Sequence, residues 1–403
     1  MRAEQLGKMK ILGAALWVVL LTMQTHYFYS IGVAPFPIIA ALISGVAILF
    51  HALVDLRATR SQLISARWYI LFWLLIFAIG IFDALVVTRA KYLLIPRILA
   101  FPLFLVVGLH MCLMYINDKK NLVSAMRLAI IIHLAFFWAQ VLFYYAGLGF
   151  LDYMEPLTGE TQRAFGGSYF VLGVPLIRAT GLFNEPGTFT NFVFVLFLLY
   201  KNLEKADGTI GPLDVWVILS MLMSFSVFGL IFTALYLVFY VFQLSPKRAL
   251  LLVMLSAPIV VGIYHIYLEP RFFSGVVSTD SGFGFRAEAL SVYGQAAMKS
   301  ISMVLFGVGI FTDASAFLDS ELVWNDLGFL FYFVLCSGVA GLLAFVVVTI
   351  ASRGREISAF HVLMIFAIFL SKISISHFLL WLCLASLLHA SSNKHKMLLR
   401  SEA

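Results

Sequence analysis

Apolar runs of bilayer-spanning length recur from Ile11 to Ala390, and short polar connections separate most of them. Runs such as Trp68 to Val87 and Leu327 to Ile350 are apolar on all sides. The strands of a transmembrane barrel alternate apolar and polar residues over short segments, so these runs read as helices. Lipid enforces the same choice, because every backbone N–H and C=O in a span must find its partner within the segment. Twelve spans are predicted, near 11–29, 34–54, 68–87, 93–116, 128–149, 187–203, 213–227, 229–244, 249–267, 327–350, 358–372 and 374–390. The seventh and eighth are short and nearly abut. The expected fold class is all-α: a polytopic membrane protein of about twelve transmembrane helices, with residues 1–403 forming a single integral membrane domain.

Composition agrees. Of 403 residues, 62% are hydrophobic and 12% charged, about half the charged share of an ordinary soluble domain. An even number of spans leaves both termini on one side, and eighteen of the 27 Lys and Arg fall on that side, including Lys8, Lys10, Lys119, Lys120, Lys247 and Arg248. The termini are therefore expected to be cytoplasmic. The net charge of +7 then reflects loop orientation and contact with anionic membrane lipids rather than nucleic acid. The first apolar run reads as a retained signal anchor, since no small-residue cleavage site follows Tyr29. Cys112, Cys336 and Cys383 lie inside apolar runs without close spacing, which argues against a disulfide framework or a zinc site. The nine His include no pair at metal-ligand spacing beside a Glu, so no metal or other cofactor is expected.

Two connections on the non-cytoplasmic side are long, 150–187 and 268–326, and long loops need a reason. They retain Arg163, Arg178, Arg271, Arg286 and Lys299 on the face from which topology tends to remove positive charge. An anionic ligand would account for this. The first loop ends in RATGLFNEPGTFTNF, with Arg178, Gly181, Asn184, Glu185, Pro186 and Gly187 directly before a hydrophobic helix. Pro suits the first turn of a helix, whose N-terminus presents its positive dipole end. With the Arg178 guanidinium a few residues upstream, fork and helix-end amides can converge on a phosphate. The plain alternative is that Asn184 or Glu185 caps the helix while Arg178 snorkels to the headgroups. Glu is not a preferred cap, and the cluster holds more than a cap requires. Gly181 and Gly187 permit tight turns.

The second loop predicts an amphipathic helix from about Phe285 to Phe306. Arg286 falls in its first turn, where helix polarity disfavours a cation, so an anionic partner or a neighbour such as Glu288 must offset it. A solvated or headgroup-bound Arg286 is the competing reading. Arg271 and Lys299 read as interfacial charges. The loop closes with Trp324, a headgroup-level anchor, followed by Asn325 and Asp326, which suit capping of the next helix more than substrate contact. Ser224 and Ser226 are expected to bond to their own helix backbone. Asp83, His265 and His377 stand near outer helix ends and read as interfacial.

On these residues the chain resembles the bacterial O-antigen polymerase (Wzy-type) family, within the O-antigen polymerase and ligase superfamily. The resemblance covers most of the chain. It is carried by the span outline, the two long outer loops and the run from Arg178 to Gly187. The Arg286 segment leading to Gly307 and Gly309 adds to it, as does the run from Trp324 to Gly328 with Gly338 and Gly341 beyond. Ligases of the superfamily carry a His at the start of the closing segment, where this chain has Trp324, Asn325 and Asp326, which favours polymerase. Some polymerases show an Arg, ten residues, then Gly in both loops. Arg271 to Gly282 fits that pattern, whereas Arg163 is followed at that spacing by Val174.

The resemblance implies a GT-C-like glycosyltransferase of the bacterial inner membrane, with both long loops periplasmic. It would move the growing glycan from undecaprenyl diphosphate onto an incoming lipid-linked oligosaccharide, alongside a chain-length regulator and a flippase. In that chemistry Arg178 and Arg286 would stabilise the departing diphosphate without a metal. Glu185 would take the proton of the attacking sugar hydroxyl. Gly181, Asn184, Arg163, Arg271, Asn325 and Asp326 complete the candidate substrate-binding set. The rival readings are a ligase, a lipid-linked oligosaccharide flippase and a non-catalytic assembly scaffold.

Overall fold

The computed structural model describes residues 2–23, 35–55, 60, 63–89, 91–158, 161–164, 170–171, 174–204, 210–241, 282–318, 328–353 and 359–389. The described chain is nearly all helical. Its helices are α1 (Arg2–Thr22), α2 (Pro35–Val54), α3 (Arg67–Val86), α4 (Ile95–Tyr145), α5 (Glu155–Thr158), α6 (Pro186–Glu204), α7 (Pro212–Met223) and α8 (Val227–Val241). They continue with α9 (Gly282–Lys299), α10 (Ile301–Phe306), α11 (Ala314–Phe317), α12 (Phe329–Arg353), α13 (Ala359–Leu370) and α14 (Phe378–Leu388). A two-residue hairpin, β1 (Phe170–Val171) against β2 (Val174–Pro175), pairs antiparallel in the first long loop. Among the described residues, four helices are long and apolar enough to cross a membrane: α2, α3, α4 and α12. Four shorter apolar helices, α7, α8, α13 and α14, accompany them. Their outward faces carry large apolar side chains, such as Leu49, Phe50 and Leu53 of α2, a surface that suits lipid. The expected span at 249–267 lies outside the described residues.

Three elements depart from the sequence reading. The fourth and fifth expected spans are two helices that meet at a kink within α4, and the fifth starts earlier than expected because the charged stretch from Lys119 to Arg127 is itself helical. The non-helical position at the kink is Asp118 (φ −152°, ψ 57°). That residue works as an internal cap: its carboxylate accepts the Asn121 side-chain amide and, at 3.4 Å, the Asn121 backbone amide. The amphipathic helix of the second loop starts earlier than expected, at Gly282, and divides at Ser300 into α9 and α10. Helix α12 breaks at Gly338 (φ 59°, ψ −163°), a conformation that glycine adopts freely.

The junction between α7 and α8 runs through Ser224 to Ser226, with Phe225 at φ 46°. Ser224 Oγ donates to the Met221 carbonyl at 2.6 Å, as expected for a hydroxyl at a helix end, and Ser226 N donates to Ser224 Oγ at 3.3 Å.

The chain divides into two compact units. The first comprises Met1–Ala129, Leu198–Glu204 and Ala289–Ala403. Its core gathers aromatic rings around Trp381, with Phe101 and Phe104 each 5.4 Å away and Tyr69 and Phe72 each 6.3 Å away. The buried indole N–H is satisfied by the Ile375 carbonyl at 2.8 Å. The second unit comprises Ile130–Phe197 and Lys205–Glu288. Stacked rings hold it: Phe137 on Phe189 at 4.5 Å joins α4 to α6, and Phe194 on Phe232 at 4.7 Å joins α6 to α8.

Candidate functional site

The candidate site belongs to the second unit, at the start of α6. Pro186 opens this helix, and the Glu185 carbonyl accepts the Phe189 amide at 3.0 Å, so Glu185 occupies the N-cap position through its backbone. From Thr188 to Tyr200 every residue of α6 is buried. A helix that is apolar on all faces belongs in an interior, so the polar N-terminus of α6 is carried on a rigid element.

Two glutamines fold the first long loop onto that helix end. Gln140, within α4, accepts the amides of Thr180 at 2.9 Å and Gly181 at 2.8 Å through its carbonyl oxygen. Its amide donates to Gln162 Oε1 at 2.7 Å and to the Leu151 carbonyl at 2.8 Å. Gln162 in turn donates to the carbonyls of Gly181 and Phe183, each at 2.7 Å, and accepts the Tyr153 amide at 3.0 Å. Asp152 accepts the amides of Met154, Glu155 and Gln162 within 2.8 Å. The polar atoms of both buried amide side chains are thus fully engaged, as a buried network requires. Burial pushes the pKa of the neighbouring Tyr153 hydroxyl up.

This network places the charged residues. Backbone bonds run from Arg163 N to the Asn184 carbonyl at 2.8 Å and from Arg178 N to the Ala164 carbonyl at 3.0 Å, so the segments bearing Arg163, Arg178 and Asn184 lie side by side. Arg163 extends a side chain that is 76% exposed and donates to Glu185 Oε1 at 2.6 Å; the Glu185 side chain is 26% exposed. Gly181 turns at φ 57° against α4, where a β-carbon would stand 3.4 Å from the His133 carbonyl. Asn184 is buried. Two polar atoms here are buried without a hydrogen-bond partner among the described residues: Arg178 Nε and Thr180 Oγ1. A guanidinium nitrogen shut away from water and from protein acceptors is what a headgroup-snorkelling arginine avoids.

No protein-family model, curated protein or solved structure matches this chain.

Of the residues singled out from sequence, Arg163, Arg178, Gly181, Asn184 and Glu185 thus share one small region. Arg286 lies within α9, a turn further from the helix start than expected because α9 begins at Gly282. Arg271, Asn325 and Asp326 lie outside the described residues, as does His265. His377 is half-buried at the start of α14, and its Nδ1 accepts the Ser374 amide at 2.7 Å. Asp83 is wholly buried, because the turn from Gly307 to Thr312 packs over it. Sequence reasoning missed Gln140, Gln162 and Asp152. A glutamine inside an apolar run was the available signal for Gln140, since such a group must find partners in the interior. Gln162 carried no local signal, because its partners lie up to 22 residues away.

Proposed function

We propose that this chain is an O-antigen polymerase, a metal-independent glycosyltransferase of the bacterial inner membrane. It would have about twelve spans, cytoplasmic termini and a GT-C-like arrangement with two periplasmic loops. Its substrates are undecaprenyl-diphosphate-linked oligosaccharides. The observation that carries this reading is Arg178, whose Nε is buried without a hydrogen-bond partner among the described residues, on a segment that pairs through Ala164 and Arg163 with the chain leading into the N-terminus of α6. Both features suit a phosphate oxygen.

In the proposed reaction a hydroxyl of the incoming unit attacks C1 of the growing glycan. The bond between C1 and the diphosphate oxygen breaks, and its electron pair leaves with undecaprenyl diphosphate. Arg178, joined by Arg286 of α9, stabilises that developing charge. Glu185 takes the hydroxyl proton. Its carboxylate is held by Arg163 at 2.6 Å, so the exposed Arg163 side chain is the group an arriving diphosphate draws away, which frees Glu185 for the acceptor.

Replacing Arg178 by Ala, or Glu185 by Gln, tests the reading in cells that display lipopolysaccharide on a gel. Loss of long chains at normal protein level, leaving core plus one repeat unit, is the expected result. Full-length chains in either variant would remove that residue's role.

One observation favours a second reading, a flippase. Helix α12 is broken at Gly338, and broken helices near buried polar groups are a transporter device. Deleting the gene separates the two readings: a flippase deletion removes every repeat unit, whereas a polymerase deletion leaves one.

A further inference from the structure

The break in α12 belongs to a polar arrangement in the first unit that the polymerase chemistry does not use. In an unbroken helix the carbonyls of Leu335 and Cys336 would bond to amides four residues on. Here they accept the amides of Val308 at 2.8 Å and Gly309 at 3.0 Å. Gly307 (φ 84°) and Gly309 (φ 91°) let that turn lie directly against α12, and a β-carbon on Gly307 would meet the Leu335 carbonyl oxygen at 2.5 Å. Asp83 of α3 approaches the same turn from its other side. A β-carbon on Gly309 would collide with Asp83 Oδ2 and stand 3.1 Å from Thr312 Oγ1.

Asp83 is 0% exposed and Thr312 1% exposed. Neither carboxylate oxygen of Asp83, nor the hydroxyl of Thr312, has a hydrogen-bond partner among the described residues. Two oxygens without partners, Asp83 Oδ2 and Thr312 Oγ1, therefore meet at one glycine. Other polar groups at the break include Cys336, Ser337, Tyr293, Tyr332 and Arg97, with the Arg97 guanidinium directed to the Tyr332 hydroxyl at 3.4 Å and the Ser337 hydroxyl donating to the Phe333 carbonyl at 2.7 Å.

A carboxylate removed from water without a counter-charge is among the costliest groups a span can hold, and such residues mark ion pathways and binding sites. Hard oxygen donors suit alkali and alkaline-earth ions rather than soft metals. One carboxylate balances a single positive charge. Unwound helix segments are also where coupling cations bind in membrane transporters. We propose that Asp83 and Thr312, at the break of α12, form the seat of a monovalent alkali cation, with sodium as the ion to test.

The test is the melting temperature of the purified full-length protein in detergent, at fixed pH and ionic strength, in sodium chloride against choline chloride. Sodium at a hundredfold excess over its Kd should raise the melting temperature by roughly 3–5 °C. Asp83→Asn should abolish that rise while melting no lower than the native chain in choline, because the amide keeps the shape and removes the charge. Thr312→Val should reduce the rise, which supplies a second variant if Asp83→Asn does not fold. Equal melting of the native chain in both salts would overturn the proposal. So would a sodium effect that survives Asp83→Asn, or stabilisation by acid alone in choline, which would assign the carboxylate a proton instead.

Discussion

Replacing Gln162 by Leu conserves approximate volume and deletes four hydrogen bonds at once. The amide donates to the carbonyls of Gly181 and Phe183 and accepts from Gln140 and the Tyr153 amide, all within 3.0 Å, from a residue only 5% exposed. At about 1 kcal/mol net per bond the loss is about 4 kcal/mol, and more if the freed carbonyls stay buried without water. The cost falls on the first long loop, because α6 is held by apolar packing that Gln162 does not supply. Hydrogen exchange resolves this where a global melt would not. The amides of Arg163, Arg178, Thr180 and Gly181, each bonded within this network, should exchange about a thousandfold faster, one decade per 1.4 kcal/mol. The α6 amides from Val193 to Leu198 should be unchanged. Less than a tenfold change at Thr180 and Gly181 would show that Gln140 alone holds the segment and that Gln162 is dispensable.

Gly309→Ala should destabilise the first unit by about 2–5 kcal/mol, because alanine is strained at φ 91° and its methyl meets the Asp83 carboxylate. A melting temperature equal to that of the native protein would show that the turn and α3 separate at little cost. Arg286→Ala should shorten the polysaccharide as Arg178→Ala does, with α9 and protein level retained. Full-length chains in that variant would leave Arg178 without its proposed partner.

Much of the architecture was readable because it rests on local physics. Pro186 marked the start of α6, and the apolar run behind it marked a buried helix. Ser224 marked the hydroxyl that bonds back to its own helix. The misreadings came from partners distant in sequence or from caps that resemble loops. Asn117 to Arg127 carries enough charge to look like a connection, yet Asp118 makes only a kink there and caps a second helix that begins directly after it. Asp83 stood near the end of a predicted span and so looked interfacial; only the turn around Gly309, more than 200 residues later, reveals that it is covered. The Arg163 to Glu185 pair was equally hidden. Its spacing matches no helical or strand period, and it depends on Gln162 drawing the loop back across Gly181 and Phe183.

Charge arithmetic at the start of α6 constrains the proposed chemistry further. Arg163 and Arg178 bring two positive charges and Glu185 one negative, a local sum of +1 before any ligand arrives. A diphosphate esterified at both ends carries one negative charge on each phosphate, so this cluster neutralises only half of it. The positive end of α6 adds roughly half a charge, which still leaves a deficit. A further cation is therefore required. The second long loop is the segment that carries such cations in the sequence, at Arg271 and Arg286. Labelling that placed Arg286 and Arg178 on opposite faces of the membrane would leave the diphosphate under-neutralised, and the polymerase reading would fail on electrostatic grounds alone.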